Sequence, residues 1–245
     1  MSITFCVVCH NFQWRLCWQL SSILQQEGQI PPIRIDIASM ANNGSPHITE
    51  EIIEKFQDFG LDITHRIYDD RDRFAKRGLI RNDQLSSTKE DWIFFADCDN
   101  VYPVNFFANL WKSLQNENKE CTKVITSSAK HHTCAIETQK LLETRNNDII
   151  IDNAFDTADN LKTIRKRNRK IAAGGMQVIN TKVVDRYVNE RRCKDRHLFE
   201  QRQGARSDIQ FRRSVGGSQL IKLGYQIHLN HRRDKEEGKH LEEQR

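Results

Sequence analysis

Trp92-Ile93-Phe94-Phe95-Ala96-Asp97-Cys98-Asp99-Asn100-Val101 is apolar and aromatic for five residues and then abruptly acidic. A short apolar run after a polar turn reads as a buried strand, and Pro103 just beyond marks its end. Side chains alternate along a strand, so the spacing predicts that Asp97 and Asp99 point the same way. Two carboxylates aimed together repel one another unless a cation lies between them. In open α/β sheets, ligands bind outside the carboxyl ends of the strands, where this pair would sit. Taken alone, the same residues make an ordinary acidic turn, with Asp97 capping the next helix, so the stretch needs support from the rest of the chain.

That support begins upstream. Residues 3–9 read as a strand leading to His10-Asn11. A helix follows, with Leu16, Leu20, Ile23 and Leu24 at helical spacing and Gly28 near its end. A second strand is expected over 33–38, then a polar loop over 39–44. The next helix has Pro46 in its first turn, a buried face of Ile48, Ile52, Ile53, Phe56 and Phe59, and Gly60 as its stop. A third strand over 61–68, a charged loop over 69–73 and a helix over 74–88 lead back to the acidic strand. This alternation is the pattern of a doubly wound parallel sheet. No Gly-x-Gly-x-x-Gly or Walker-type loop occurs, which argues against a dinucleotide or P-loop site.

Downstream the pattern is less regular. A helix is expected over 106–115, a strand over 121–128, and mixed helix and loop over 129–170, ending in Arg165-Lys166-Arg167-Asn168-Arg169-Lys170. A strand over 171–180 contains Gly174-Gly175; glycines inside a strand often mark close approach of a ligand or another backbone. A helix from Thr181, a basic loop over 191–206, a helix from Asp208, a strand over 225–229 and a charged tail from Arg232 complete the chain.

With 245 residues, 38% hydrophobic and 29% charged, the chain has the composition of an ordinary globular protein with a full core. No apolar run approaches the ~20 residues that span a bilayer. The N-terminus carries no basic region or cleavage site of a signal peptide. Seven scattered cysteines suit free thiols in a reducing cytosol, and Cys6-x-x-Cys9 reads as buried structural thiols because no second Cys or His pair matches it. The net charge of +5 suits an anionic ligand, whether a nucleotide diphosphate, a phospholipid surface or a nucleic acid.

The order strand, His10-Asn11, Arg77 to Asn82 on a helix, Asp97-Cys98-Asp99, Gly174-Gly175, Asp208 before Phe211-Arg212-Arg213, then His228 and His231 resembles glycosyltransferases of the GT-A fold. The run 74–99 is similar to the donor-binding region of the β-1,4-galactosyltransferase catalytic domain, and Ile227-His228-Leu229-Asn230-His231-Arg232-Arg233-Asp234-Lys235 to that domain's end. The whole is equally similar to bacterial family-2 glycosyltransferases.

The resemblance implies an α/β GT-A (Rossmann-like) mixed sheet with a largely parallel N-terminal nucleotide-binding half and helices on both faces. It implies a single catalytic domain over 1–245, with 1–102 binding the nucleotide sugar, 103–231 the acceptor, and 232–245 a charged tail. Asp99, His231 and His228 would be ligands to Mn²⁺ or Mg²⁺, and Asp97 would bind the ribose or the water around the metal. Arg77, Arg81 and Asn82 would face the donor, a UDP-sugar, with His10 and Asn11 near its base. Gly174 and Gly175 would admit the donor sugar or acceptor, and Asp208 would be the catalytic base.

Each residue also has a plainer reading: a strand would turn His228 and His231 to opposite faces, Asp208 suits a helix N-cap, and Arg77 and Arg81 suit a solvated helix face. The chain departs from the family in carrying Ser207 before Asp208, where Glu-Asp is usual, and Ala38-Ser39-Met40 in place of an acidic turn after the second strand.

The function expected is a metal-dependent inverting transfer of a sugar from a UDP-sugar to a saccharide or surface-glycan precursor. The enzyme would be cytosolic, and its basic loops are the candidates for an anionic acceptor or the inner face of a membrane. A nucleotidyltransferase would also use an acidic pair and a metal, but usually with a glycine-rich loop where this chain has His10-Asn11-Phe12-Gln13. A nucleic-acid-binding module built on residues 165–170 and 191–213 is disfavoured by interspersed acids and the lack of a stacking aromatic cluster.

Overall fold

A computed structural model describes residues 2–10, 13–41, 47–116, 124–127, 130–144, 148–163, 176–186, 211, 219–221, 223 and 226–229. β1 (Ile3–Cys9), α1 (Gln13–Leu24), β2 (Ile33–Met40), α2 (His47–Asp58), β3 (Asp62–Tyr68), α3 (Arg71–Ala75), α4 (Arg77–Ser87) and β4 (Trp92–Asp97) follow in the expected alternation. After them come β5 (Asn100–Val101), α5 (Phe106–Gln115), β6 (Val124–Ser127), β7 (Lys130–Thr133), α6 (Ala135–Thr144), α7 (Ala154–Asn160), β8 (Lys162–Thr163), β9 (Met176–Asn180), β10 (Gln219–Ile221) and β11 (Gln226–His228).

Among the described residues the strands form two sheets. The larger has the order β10-β6-β9-β4-β1-β2-β3. Its β4-β1-β2-β3 half is parallel throughout, while β9 runs antiparallel to both β4 and β6. The sheet is therefore mixed, with a parallel N-terminal half. The smaller sheet has the order β5-β11-β7-β8.

Strand alternation explains why helices cover both faces. Along β1, Ile3, Phe5 and Val7 enter one core cluster and Cys6 another; along β4, Trp92, Phe94 and Ala96 share the first cluster, Ile93 and Phe95 the second. The first cluster is closed by Leu16 and Leu20 of α1, Ile52, Ile53 and Phe56 of α2, and Phe106, Phe107 and Leu110 of α5. Leu85 of α4, with Val184 and Phe211, closes the second. Aromatic rings dominate the junction: Phe5 meets Phe94 edge-on at 4.9 Å between centroids, and Tyr102 lies 4.7 Å from Phe106.

Gly60 ends α2 as its sequence predicts. It takes φ +92°, and the amide of Leu61 reaches back to the Phe56 carbonyl at 3.1 Å, while Gly60 N–H donates to Gln57 at 2.8 Å. This is the hydrogen-bond pattern of a left-handed helix cap. Phe59, expected on the buried face, is instead 51% exposed. The helix ends before it, and Lys55 covers its ring at 5.4 Å.

Other expectations shift at boundaries. The helix read over 74–88 is two helices, because Lys76 (φ −91°, ψ 72°) breaks the chain between α3 and α4. The charged loop before it contributes Asp70 as N-cap, its carboxylate accepting the Arg73 amide at 2.9 Å. β2 runs on to Met40, so Ser39 belongs to a strand rather than a loop. The helix expected from Thr181 is a turn over 181–183, closed by the Val184 amide on the Asn180 carbonyl. Pro46, the 191–206 loop and the tail lie outside the described residues, as does the helix from Asp208 except for Phe211, which is helical.

A buried ion pair ties two of the parallel strands. Asp36 on β2 has a side chain only 4% exposed, and Arg66 on β3 grips both its oxygens through Nε at 2.9 and 2.7 Å. Gln84 of α4 donates to the same carboxylate at 3.3 Å. Arg66→Met would strand a buried charge and should cost about 3 kcal/mol in urea unfolding. Adding Asp36→Val should restore most of that loss; an Arg66→Met protein as stable as wild type would show that the pair does not hold these strands together.

Candidate active site

Because β1 to β4 are parallel, their carboxyl ends open on one edge of the sheet. Asp97 is the last residue of β4 and stands beside Val8 of β1. Arg77 and Arg81 begin α4 one turn apart, so they share a helix face. Their guanidinium groups lie 4.0 and 3.5 Å from Asp97 Oδ1. Arg81 is buried, with its guanidinium 5.5 Å from the Phe95 ring centroid. Two cations against one carboxylate leave a positive surplus at the strand end, suited to phosphate oxygens.

The alternation argument for the acidic pair holds only along a strand, and β4 stops at Asp97. Cys98 and Asp99 form a turn, so Asp99 meets a different partner. Its Oδ2 lies 2.9 Å from His228 Nε2, with both side chains largely buried (10% and 14% exposed). The small sheet makes this meeting: β11 pairs with β5, placing His228 opposite Asn100, and with β7 on its other side. Leu229 N–H donates to the Asp99 carbonyl at 2.8 Å. At the other end of the turn, the Asp97 carbonyl accepts from Gln19 Nε2 at 2.7 Å and Asn100 Nδ2 at 3.0 Å.

At the neighbouring strand end, His10 follows β1 with its ring 5.8 Å from Phe74, which also meets Tyr68 at 5.8 Å. Burial, helped by the nearby Arg71 charge, lowers the His10 pKa to about 4. Arg73 donates to both oxygens of Asp83 at 2.7 and 2.9 Å, and the Tyr68 hydroxyl to Asp83 at 3.1 Å, fastening α3 to α4. Beneath the site Cys6, Cys9, Cys17 and Cys98 are buried free thiols, and burial raises Cys17 to about 12, as inert structural cysteines should be.

The structure thus gathers His10, Arg77, Arg81, Asp97, Asp99 and His228 at the sheet edge, with Asn82 on α4 one residue after Arg81. Asn11, Gly174, Gly175, Asp208 and His231 lie outside the described residues.

A family model for glycosyl transferase family 2 matches residues 4–188. This chain belongs to glycosyl transferase family 2. The matched span holds the acidic turn and both arginines, whereas Asp208, His228 and His231 fall beyond it. TarS 1-349 of S. aureus in complex with UDP has a similar structure, with TM-score 0.60 and 13% identity over 94% of this chain and 61% of that one. The TarS 1-349 structure without UDP gives TM-score 0.59 and 12% identity over 94% and 60%. A mannosyltransferase from Pyrobaculum calidifontis, in complex with GDP-Man and Mn²⁺, gives 0.49 and 13% over 92% and 56%. The family-2 chain spans about three fifths of these two TarS 1-349 structures. No protein of curated function matches its sequence significantly.

Besides the Asp36–Arg66 pair, sequence reasoning missed polar contacts of this family-2 chain at Gln19, Ser39 and Arg73. Gln19 sits fully buried between Trp18 and Leu20, and a polar residue inside a run of buried helix is the signal that could have found it. Ser39 Oγ, near the end of β2, lies 2.7 Å from His65 Nε2 in the middle of β3. The Arg73–Asp83 tie had no such signal, because ten residues and a helix break separate the two.

With its pKa held near 4, His10 is neutral across the physiological range. Unfolded histidine binds a proton near pH 6.5, so this group subtracts stability as pH falls from about 6.5 toward 4 and nothing above. An NMR titration of the imidazole should show no charging above pH 5; a midpoint near 6.5 would mean that His10 is open to water rather than sealed against Phe74.

Proposed function

We propose that the chain is a metal-dependent inverting glycosyltransferase that moves a sugar from a UDP-sugar to a hydroxyl of a saccharide or glycan precursor. The observation that carries this reading is the acidic turn at the carboxyl edge of the sheet, with arginines on Asp97 and an imidazole on Asp99. Family membership supports the reaction class, and the UDP complex of TarS supports the choice of nucleotide.

The donor set suits a divalent ion. A carboxylate oxygen and an imidazole nitrogen 2.9 Å apart, both shielded from bulk water, offer mixed ligation that favours Mn²⁺ over Mg²⁺. Asp99 and His228 would hold the ion, with His231 as a further ligand. Among the described residues no third Cys, His, Asp or Glu completes a cluster. When bound, the ion would offset the charge of the departing diphosphate.

The protein's own groups do the rest. Arg77 and Arg81 hold phosphate oxygens, with Asn82 beside them, and Asp97 orients the arginines and reaches the ribose. His10, neutral at pH 7, faces the base together with Asn11. Gly174 and Gly175 let the backbone approach the sugar or the acceptor. Asp208 takes the proton from the acceptor hydroxyl as it attacks the anomeric carbon from the side opposite the leaving group, which inverts the configuration.

We read residues 1–245 as one catalytic domain, with 1–102 serving the donor and 103–231 the acceptor. The basic segments 165–170 and 191–206 would receive an anionic acceptor or touch a membrane surface. No helix among the described residues is long and apolar enough to cross a membrane.

Thermal-shift measurements with UDP-, GDP- and dTDP-sugars, each with and without Mn²⁺, test the reading. The UDP-sugar should stabilise only when the ion is present, by about 2.7 kcal/mol at a hundred times its Kd. Asp99→Ala should keep the fold, lose that ion-dependent gain and lower transfer by about 10²–10³-fold, the scale for removing one electrostatic group from a reacting centre. Undiminished ion-dependent stabilisation in Asp99→Ala would overturn the metal assignment.

A further inference from the structure

The acidic turn is held by its peptide carbonyls as well as by its side chains. β4 ends at Asp97, and the chain turns there. Two amides take up the Asp97 carbonyl. Asn100 Nδ2, three residues on, donates at 3.0 Å, and this bond is local to the turn. Gln19 Nε2 donates at 2.7 Å from α1, across 78 residues of sequence.

Gln19 is fully buried in a helix whose residues from Arg15 to Ile23 are all buried. Placing an uncharged amide there without a partner is unfavourable, and a leucine would pack the same space. Its amide donates to the peptide through which the chain passes from β4 into the turn that carries Asp99. At the far end of the turn, Leu229 N–H fixes the Asp99 carbonyl at 2.8 Å. The two carboxylates are thus suspended between α1 and the chain beside His228. A small rotation of the 97–98 peptide would carry the Asp99 carboxylate off His228, and ligating groups tolerate displacements of only about 0.5 Å.

We infer that Gln19 is a positioning residue for the donor site: its amide fixes the Asp97–Cys98 peptide and so aims Asp99 at the ion it shares with His228. The inference rests on the reading of Asp99 and His228 as metal ligands. Gln19 touches no reacting atom and acts only through the turn.

The test compares Gln19→Met, which keeps the volume and deletes the donor, with Gln19→Asn, which draws the amide back by one methylene and is the milder change should the methionine variant fail to fold. Gln25→Met is the control. Gln25 sits just past the end of α1 and makes the same kind of bond, donating at 2.6 Å to the Ile151 carbonyl rather than to the turn. Mn²⁺ affinity in the presence of UDP is read from the EPR signal of the free ion, and UDP affinity without metal by calorimetry. Both Gln19 variants should bind Mn²⁺ about 10-fold more weakly or worse, as loss of supporting groups around metal ligands usually does. Metal-free UDP affinity should fall by less than Mn²⁺ affinity, since Arg77, Arg81 and Asn82 lie on α4 rather than on this peptide. Gln25→Met should lower Tm yet leave Mn²⁺ affinity unchanged. Wild-type affinity in a folded Gln19 variant, or an equal loss in Gln25→Met, overturns the inference. Absence of Mn²⁺ binding by the wild-type protein would instead overturn the metal-dependent reading beneath it.

Discussion

Carboxylates at the mouth of a buried strand are charges that the fold must balance, and the organisation of this chain follows from how it balances two of them. Asp97 is met by arginines from the helix that leads into its own strand, an arrangement that βα alternation produces locally. Asp99 is met by an imidazole from almost the end of the chain. That second meeting requires a separate small sheet, because only β11 pairing with β5 carries His228 to the turn. The two acids therefore have different surroundings: one lies in a cationic cluster, the other in an oxygen–nitrogen pair.

Much of the N-terminal architecture is legible because continuous apolar strands and amphipathic helices differ strongly in period. Ile3, Phe5 and Val7 against Cys6, or Trp92 and Phe94 against Ile93 and Phe95, already encode a sheet covered on both sides. Gly60 marks a helix end through its backbone freedom alone. The failures are local and have local causes. Periodicity runs straight through Lys76, since a break in φ and ψ at one lysine leaves no compositional trace. Phe59 has helical spacing but follows the last helical residue, and spacing cannot say where hydrogen bonding stops.

At the site, the residues that sequence could find are those whose chemistry is unusual for their position: an acidic pair after an aromatic strand, and two arginines one turn apart. Strand alternation predicts a common direction for Asp97 and Asp99, but the chain turns between them, and their partners diverge. Contacts such as Ser39 with His65, or Gln19 with the Asp97 carbonyl, depend on which elements become neighbours. Only the tertiary arrangement supplies that.

The reversed strand β9 gives the central strand a peculiar history. On one side β4 finds β1, made well before it; on the other it waits for residues 176–180, roughly 80 residues further along. At a synthesis rate of about 5–20 residues per second, a nascent chain would present one bare flank of Trp92-Ile93-Phe94-Phe95 for on the order of 4 to 16 s. An unsatisfied aromatic strand flank is a template for pairing with other chains. This protein is most exposed to aggregation while the ribosome is still partway through it, and slowing translation between β4 and β9 would lengthen that exposure.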